Sequence, residues 1–248
     1  MRNTLKISVI LFIISVVWLS CKDQSSKPPP PAKVRFVEKT AESDTLERGI
    51  DAVPESDAIY LEWYSNHEEN LAGYVISRSI FEDRNFVEIA RIKKITEFEL
   101  PDTTFIDQVD SLNILDRYYY YIEAIDDFDQ LGEPSDVVSY KLVPKPILGS
   151  PRNVITQTSP DFTWDFDESF VPNAFVFRLL KRNNQKYFYY FTKLSLLRDD
   201  YAPHQQWTGD ELTLPTPLPS GTYRWRIDPI GAEENQGAES IWLDFTIQ

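Results

Sequence analysis

RYYYYIEAID, residues 117–126, decides how this chain is read. Side chains of a β-strand alternate between the two faces of its sheet. Tyr118, Tyr120, Ile122 and Ala124 therefore share one face, and Tyr119 and Tyr121 point the other way. Four apolar side chains in phase make a core face. The two outward tyrosines need a second explanation: cover from elsewhere in the protein, or binding.

Working outward, similar short alternating segments recur on both sides. Before the tyrosine run come KVRFV (33–37), AIYLEWY (58–64), AGYVISRSI (72–80), FVEIARI (86–92) and TTFID (103–107); after it comes SDVVSYKLV (135–143). Ile59, Leu61 and Trp63 are in phase, as are Tyr74 and Ile76, and Val138, Tyr140 and Leu142. Seven such strands in this length predict an immunoglobulin-like sandwich.

PKPILGSPRN (144–153) is a Pro-rich junction, and beyond it the scheme repeats. PDFTWDF (160–166) places Trp164 as a counterpart of Trp63. NAFVFRLL (173–180) and KYFYYFTKL (186–194) read as central strands. In LPSGTYRWRID (218–228), Tyr223, Trp225 and Ile227 alternate into a core, and SIWLDFTI (240–247) closes the block. KLSLLRDD (193–200), inside an unusual insertion, is expected to form a helical turn. The fold class expected is all-β: two tandem immunoglobulin-like β-sandwiches.

Residues 33–143 resemble fibronectin type III domains in several motifs taken in order. LEW carries the second-strand tryptophan at Trp63, GYVISR (73–78) matches the third strand, and Phe105 with Asp107 matches the aromatic-x-Asp before the sixth. Tyr118, Tyr120, Ile122 and Ala124 match the sixth strand itself, and DDFDQLGEPS (126–135) the hairpin after it. The resemblance implies that Tyr118 is a tyrosine-corner residue, its hydroxyl bonded to backbone. A long acidic loop, residues 40–57, departs from the family pattern. Residues 146–248 resemble the same family more loosely, as a second sandwich.

The N-terminus has another character. Arg2 and Lys6 precede an apolar run from Ile7 to Leu19 that stops at Cys21, the one cysteine of the chain. The run is short for a bilayer of about 30 Å and has the proportions of a signal-peptide core. Polar residues and Pro28–Pro31 follow. This segment resembles a bacterial lipoprotein signal, although Trp18 stands where that family prefers leucine. The resemblance implies cleavage after residue 20, lipid on Cys21, a membrane anchor and residence in a bacterial cell envelope. Residues 21–32 would form an extended polyproline tether. Without Arg2 and Lys6 the mature chain has 23 basic residues against 39 acids, a charge of −16.

With 42% hydrophobic residues the chain can build a substantial core, and 14% aromatics with 8 Gly suit a folded β protein. Its formal charge of −14 disfavours nucleic acid, whose non-specific binding depends on Lys and Arg neutralising phosphates. Catalytic chemistry is poorly supplied. Two histidines, His67 and His204, fall in different domains, no thiolate beyond Cys21 exists, and no glycines stand two apart as in a phosphate-binding turn. No cofactor, metal or catalytic residue is expected. The acidic hairpin with Asp126, Asp127, Asp129 and Glu133 reads as a solvated turn, since it lacks the calcium-loop spacing.

Two strands have aromatics on both faces. Tyr119 and Tyr121 oppose Tyr118 and Tyr120, and Phe188 and Tyr190 oppose Tyr187, Tyr189 and Phe191. Tyr119, Tyr121, Phe188 and Tyr190 form the candidate binding face, for an envelope protein or a glycan. The same rings would equally serve as packing between domains or as cross-strand pairs. The expectation is a noncatalytic interaction or spacer module; a carbohydrate-binding protein is the alternative, and a hydrolase using a carboxylate pair the least supported.

Overall fold

A computed structural model describes residues 27–96, 99–109, 112–166, 170–196, 206–207 and 217–248, with 191–196 and 206–207 by backbone alone. The N-terminal apolar run, Cys21 and His204 lie outside the described residues, which contain strands and no helix.

The first domain contains β1 (Asp51–Val53), β2 (Ser56–Glu62), β3 (Leu71–Ser79), β4 (Val87–Lys93), β5 (Thr104–Asp107), β6 (Arg117–Asp126) and β7 (Val138–Leu142). One sheet has the order β1-β2-β5 and the other runs β4-β3-β6-β7. Between them Ile59, Leu61, Trp63, Tyr74, Ile76, Tyr118, Tyr120, Ile122, Tyr140 and Leu142 form one core. Trp63 and Tyr74 meet edge to face at 5.3 Å. The Tyr118 hydroxyl accepts the Asn113 N–H at 2.8 Å, closing the corner before β6.

KVRFV is not a continuous strand, which corrects the expected first element. Phe36 makes an isolated bridge to Trp63, and Val37 N–H donates to the Glu62 carbonyl at 3.0 Å. The chain then leaves the sheet and rejoins it at β1, which pairs with the first half of β2. Residues 38–50 are thus an insert looped out of a single edge strand. The Arg48 side chain donates to both Glu62 carboxylate oxygens at 2.8 and 2.9 Å where the insert returns. Gly49 next to it has φ +84°, a conformation that favours glycine.

Part of the stretch expected to be tether, Pro28 to Ala32, packs on the first domain. Pro31 is buried, Ala32 N–H donates to Glu68 at 2.6 Å, and the Pro28 carbonyl accepts from Gln130 at 3.0 Å. Extended backbone of this kind keeps its carbonyls free to bond. Gly132 lets it approach, since a side chain there would collide with the Pro31 carbonyl.

The second domain contains β8 (Ile147–Leu148), β9 (Asn153–Ile155), β10 (Phe162–Asp165), β11 (Ala174–Asn183), β12 (Lys186–Leu196), β13 (Gln206–Trp207), β14 (Gly221–Ile230), β15 (Gln236–Gly237) and β16 (Leu243–Ile247). β13-β10-β8 forms one sheet; in the other, β12-β11-β14 continues to β16, with β9 parallel to β16. The expected helical turn at 193–200 is not seen where it is described: Lys193 to Leu196 continue β12 against β11, and 197–200 lie outside the described residues. The core is aromatic. Phe162 lies 4.8 Å from Phe177 and 5.2 Å from Trp225, and Tyr223 stacks on Phe245 at 5.3 Å.

The two domains share a sheet. β15, in the turn after β14, pairs in parallel with β7, so one ten-stranded sheet runs β12-β11-β14-β15-β7-β6-β3-β4, with β16 and β9 attached. The chain is all-β, two immunoglobulin-like sandwiches in tandem joined edge to edge.

Candidate functional site

β14 alternates strictly. Tyr223, Trp225 and Ile227 enter the core, which sends Arg224, Arg226 and Asp228 to the back of the sheet. On β11 the same alternation puts Arg178 behind the core residues Phe177 and Leu179, and Arg178 stands opposite Arg226 in the ladder. Two like charges directly opposed are unfavourable, and both are almost fully buried. An unpaired buried guanidinium would cost several kcal/mol.

The insert from the first domain resolves this. Arg178 donates to the carbonyls of Glu42 and Asp44 at 2.6 and 2.7 Å, and pairs with the Glu47 carboxylate at 2.7 Å. Glu47 also reaches Arg226, which pairs with Glu239 at 2.7 Å and Asp228 at 2.9 Å. Asp228 is held by the Ser240 N–H at 3.1 Å. The base of the insert is fixed to its own domain: Asp51 accepts from Lys39 at 2.5 Å and from the Tyr140 hydroxyl at 2.9 Å. The acidic loop that departs from the family pattern is therefore the cover of the second domain's back face.

Three carboxyls meet two guanidiniums here, and that excess has an electrostatic consequence. Burial pushes Glu239 up to about 9, with Asp228 and Glu47 adding to the effect and Arg226 opposing it. Burial also raises Asp228 and Glu42 above the ordinary carboxylate range. Oxygens of Glu47, Asp228 and Glu239 lie within 4.8 Å of one another, a spacing that could hold a metal ion. Guanidinium groups already occupy the position of that cation, so the set reads as an ion-paired seam.

The expected aromatic face does not assemble. Tyr119 and Tyr121 lie on β6 and Phe188 and Tyr190 on β12, five strand spacings apart in the shared sheet, roughly 24 Å. Tyr121 packs against Phe86 at 4.8 Å, and both β6 tyrosines are half-buried beside the small Ser77, Ser79 and Ser139. Phe188 is 55% exposed. Tyr190 points into the second core, 5.8 Å from Tyr223. Phe188 and Tyr190 share the core side of β12, since Phe188 stands opposite Lys181 and Lys181 opposite the core residue Tyr223. A β-bulge at Tyr190, between the pairs Leu179–Phe191 and Leu180–Tyr189, shifts the alternation only beyond it.

The acidic hairpin is a hydrogen-bonded turn. Asp126 accepts the N–H groups of Phe128 and Gln130 at 2.9 and 2.7 Å and the side-chain amide of Gln130 at 2.8 Å, while Asp127 pairs with Lys94 at 2.9 Å.

No protein-family model matches the chain, and no curated protein matches it. Among solved structures, the FN1–FN3 domains of chicken CNTN1 are similar at 15% identity over 88% of this chain, with a TM-score of 0.28. Dimeric latent PorU from Porphyromonas gingivalis is similar at 12% identity over 92% of this chain, with a TM-score of 0.29. The Streptomyces avermitilis alpha-L-rhamnosidase complexed with L-rhamnose gives 8% identity over 84% and a TM-score of 0.28. The chain spans 65%, 21% and 24% of those three structures. At such scores the fold assignment rests on the strand pairing itself.

Proposed function

We propose that the chain is a noncatalytic spacer and interaction module, held at a bacterial cell envelope by lipid on Cys21. The observation that carries this reading is the seam. Two sandwiches joined by a β-ladder and a buried ion cluster behave as one stiff body, whereas tandem domains otherwise move relative to one another. A stiff body on a short tether suits presentation of a surface at a fixed distance from a membrane. The apolar run ending at Cys21 supports the anchor, and the scarcity of histidine, thiol and glycine-rich motifs supports the noncatalytic part.

Two measurements test it. Spin labels at exposed sites of each domain should give one narrow distance distribution, and Glu47→Lys should broaden it by placing a third cation between Arg178 and Arg226. A broad distribution in the unmodified chain would sink the spacer reading. Expressed in a bacterium, the full chain should enter the detergent phase on phase separation and Cys21→Ala should leave it; equal partitioning would remove the anchor.

A further inference from the structure

The hairpin formed by β11 and β12 is the basic part of an acidic protein. From Ser169 to Arg198 the sequence contains six Lys and Arg and no Asp or Glu, in a chain of 39 acids and 25 bases. Arg178 is paired in the seam, and Lys181, Arg182 and Lys186 put the hairpin's positive charge near its turn. Asn184 and Gln185 both have positive φ, 45° and 68°, and Asn183 pairs with Lys186 across them. That two-residue turn matches the twist of the flanking strands.

Cations and rings meet on the back of this hairpin. The Arg224 guanidinium lies 4.3 Å from the ring centre of Tyr187 and 4.6 Å from that of Trp242. The Tyr187 hydroxyl donates to Asp244 at 2.9 Å, which lays the ring across the sheet. The buried Nε of Arg224 has no hydrogen-bond partner. Arg182 stands opposite Tyr187 in the ladder and is exposed, as is Lys186. Among the described residues, no carboxylate forms an ion pair with Arg182, Lys186 or Arg224.

We propose that this face binds an acidic polysaccharide, a chain of sugars carrying carboxylates. Flat, fixed aromatic rings suit the C–H faces of sugars. Arg182 and Arg224, on the face of Tyr187, would meet the carboxylates as charge-assisted pairs, with Lys186 adding positive charge at the turn, and the tip amides Asn183, Asn184 and Gln185 suit hydroxyl groups. A membrane surface shares the anionic charge, and Phe188 beside the turn is exposed, but the three amides that form the tip itself suit hydroxyl groups over hydrocarbon. The inference deepens the interaction-module reading by naming a partner chemistry, and it does not depend on the seam or on the lipid.

The test is affinity electrophoresis of the full chain in detergent against polygalacturonate, neutral dextran and phosphatidylglycerol vesicles. Polygalacturonate should retard the protein, less so as salt rises, and dextran should not. The double variant Arg182→Glu, Lys186→Glu, at two exposed positions, should weaken retardation about tenfold or more. Arg84→Glu, an exposed cation of the first domain, should leave it unchanged and so separate a site from bulk charge. Tyr187→Ala should weaken it while Tyr187→Phe retains most of it. No retardation, equal loss with Arg84→Glu, or retention by vesicles alone would each overturn the proposal. Any of these leaves the distance measurement, and with it the spacer reading, untouched.

Discussion

The two sandwiches bury charge in different places. The first keeps a charged pair in its interior: Arg78 donates to both oxygens of Asp107 at 3.0 and 2.9 Å, and the Tyr120 hydroxyl adds a bond at 2.8 Å. Every partner belongs to the same domain. The second has an aromatic core and carries Arg178 and Arg226 on its outer face, where Glu47 and two carbonyls arrive from the first domain. One domain is complete alone. The other is completed by its neighbour, and the dependence runs through thirteen residues, 38–50, looped out of an edge strand.

The largest effect that would sharpen this contrast falls in the first domain. Asp107 is fully buried, so Asp107→Ala strands Arg78 and the Tyr120 hydroxyl and should cost about 3–5 kcal/mol. Urea unfolding followed by tryptophan fluorescence should show the loss; a cost near zero would break the claim that this buried pair holds the first domain together.

A smaller effect concerns pH. Burial holds Glu239 at about 9 and raises Asp228 and Glu42, with Arg226, Arg178, Glu47, Lys39 and Asp51 as their charged neighbours. A carboxyl raised in the folded state favours the protonated form. Its contribution is therefore full below the ordinary carboxylate range and drains away as pH rises toward 9. The interdomain distance should be narrowest under mildly acidic conditions and broaden by pH 9, and Glu239→Gln should flatten that slope. Broadening on acidification instead would reverse the assignment.

The smallest effect is at the exposed rim of the seam. Glu233 pairs with Arg117 at 3.0 Å and Lys141 at 3.2 Å, and those partners hold its carboxyl below the usual range. Glu233→Gln should change stability by no more than about 1 kcal/mol, with the difference disappearing in high salt. A larger cost would mean that the rim, and not the covered arginines, holds the domains together.

The core was legible in the sequence because period-two alternation needs no knowledge of partners. Tyr118, Tyr120, Trp63, Trp164, Tyr223 and Trp225 all face inward where the pattern puts them. The pattern failed at Tyr190 because alternation says which residues share a face and not which face is the core's: Phe188 and Tyr190 do share one, and it is the side of Tyr223. It failed at KVRFV because an insertion inside a strand looks like a loop after one. The seam was the least visible feature. Arg178 and Arg226 do point outward, as alternation requires, and only tertiary contact shows that the outside is covered. A clue did exist in two arginines at outward positions of adjacent central strands, beside an acidic insert with no place in the family pattern.

The parallel pairing of β9 with β16 has a mechanical consequence. These strands stand near opposite ends of the second domain's chain, and three residue pairs, Asn153–Phe245, Val154–Thr246 and Ile155–Ile247, join them side by side. Tension drawn between those ends loads the three pairs together in shear, where a hairpin would peel open one bond at a time. A body fixed at one end and pulled at the other would resist at that short ladder first.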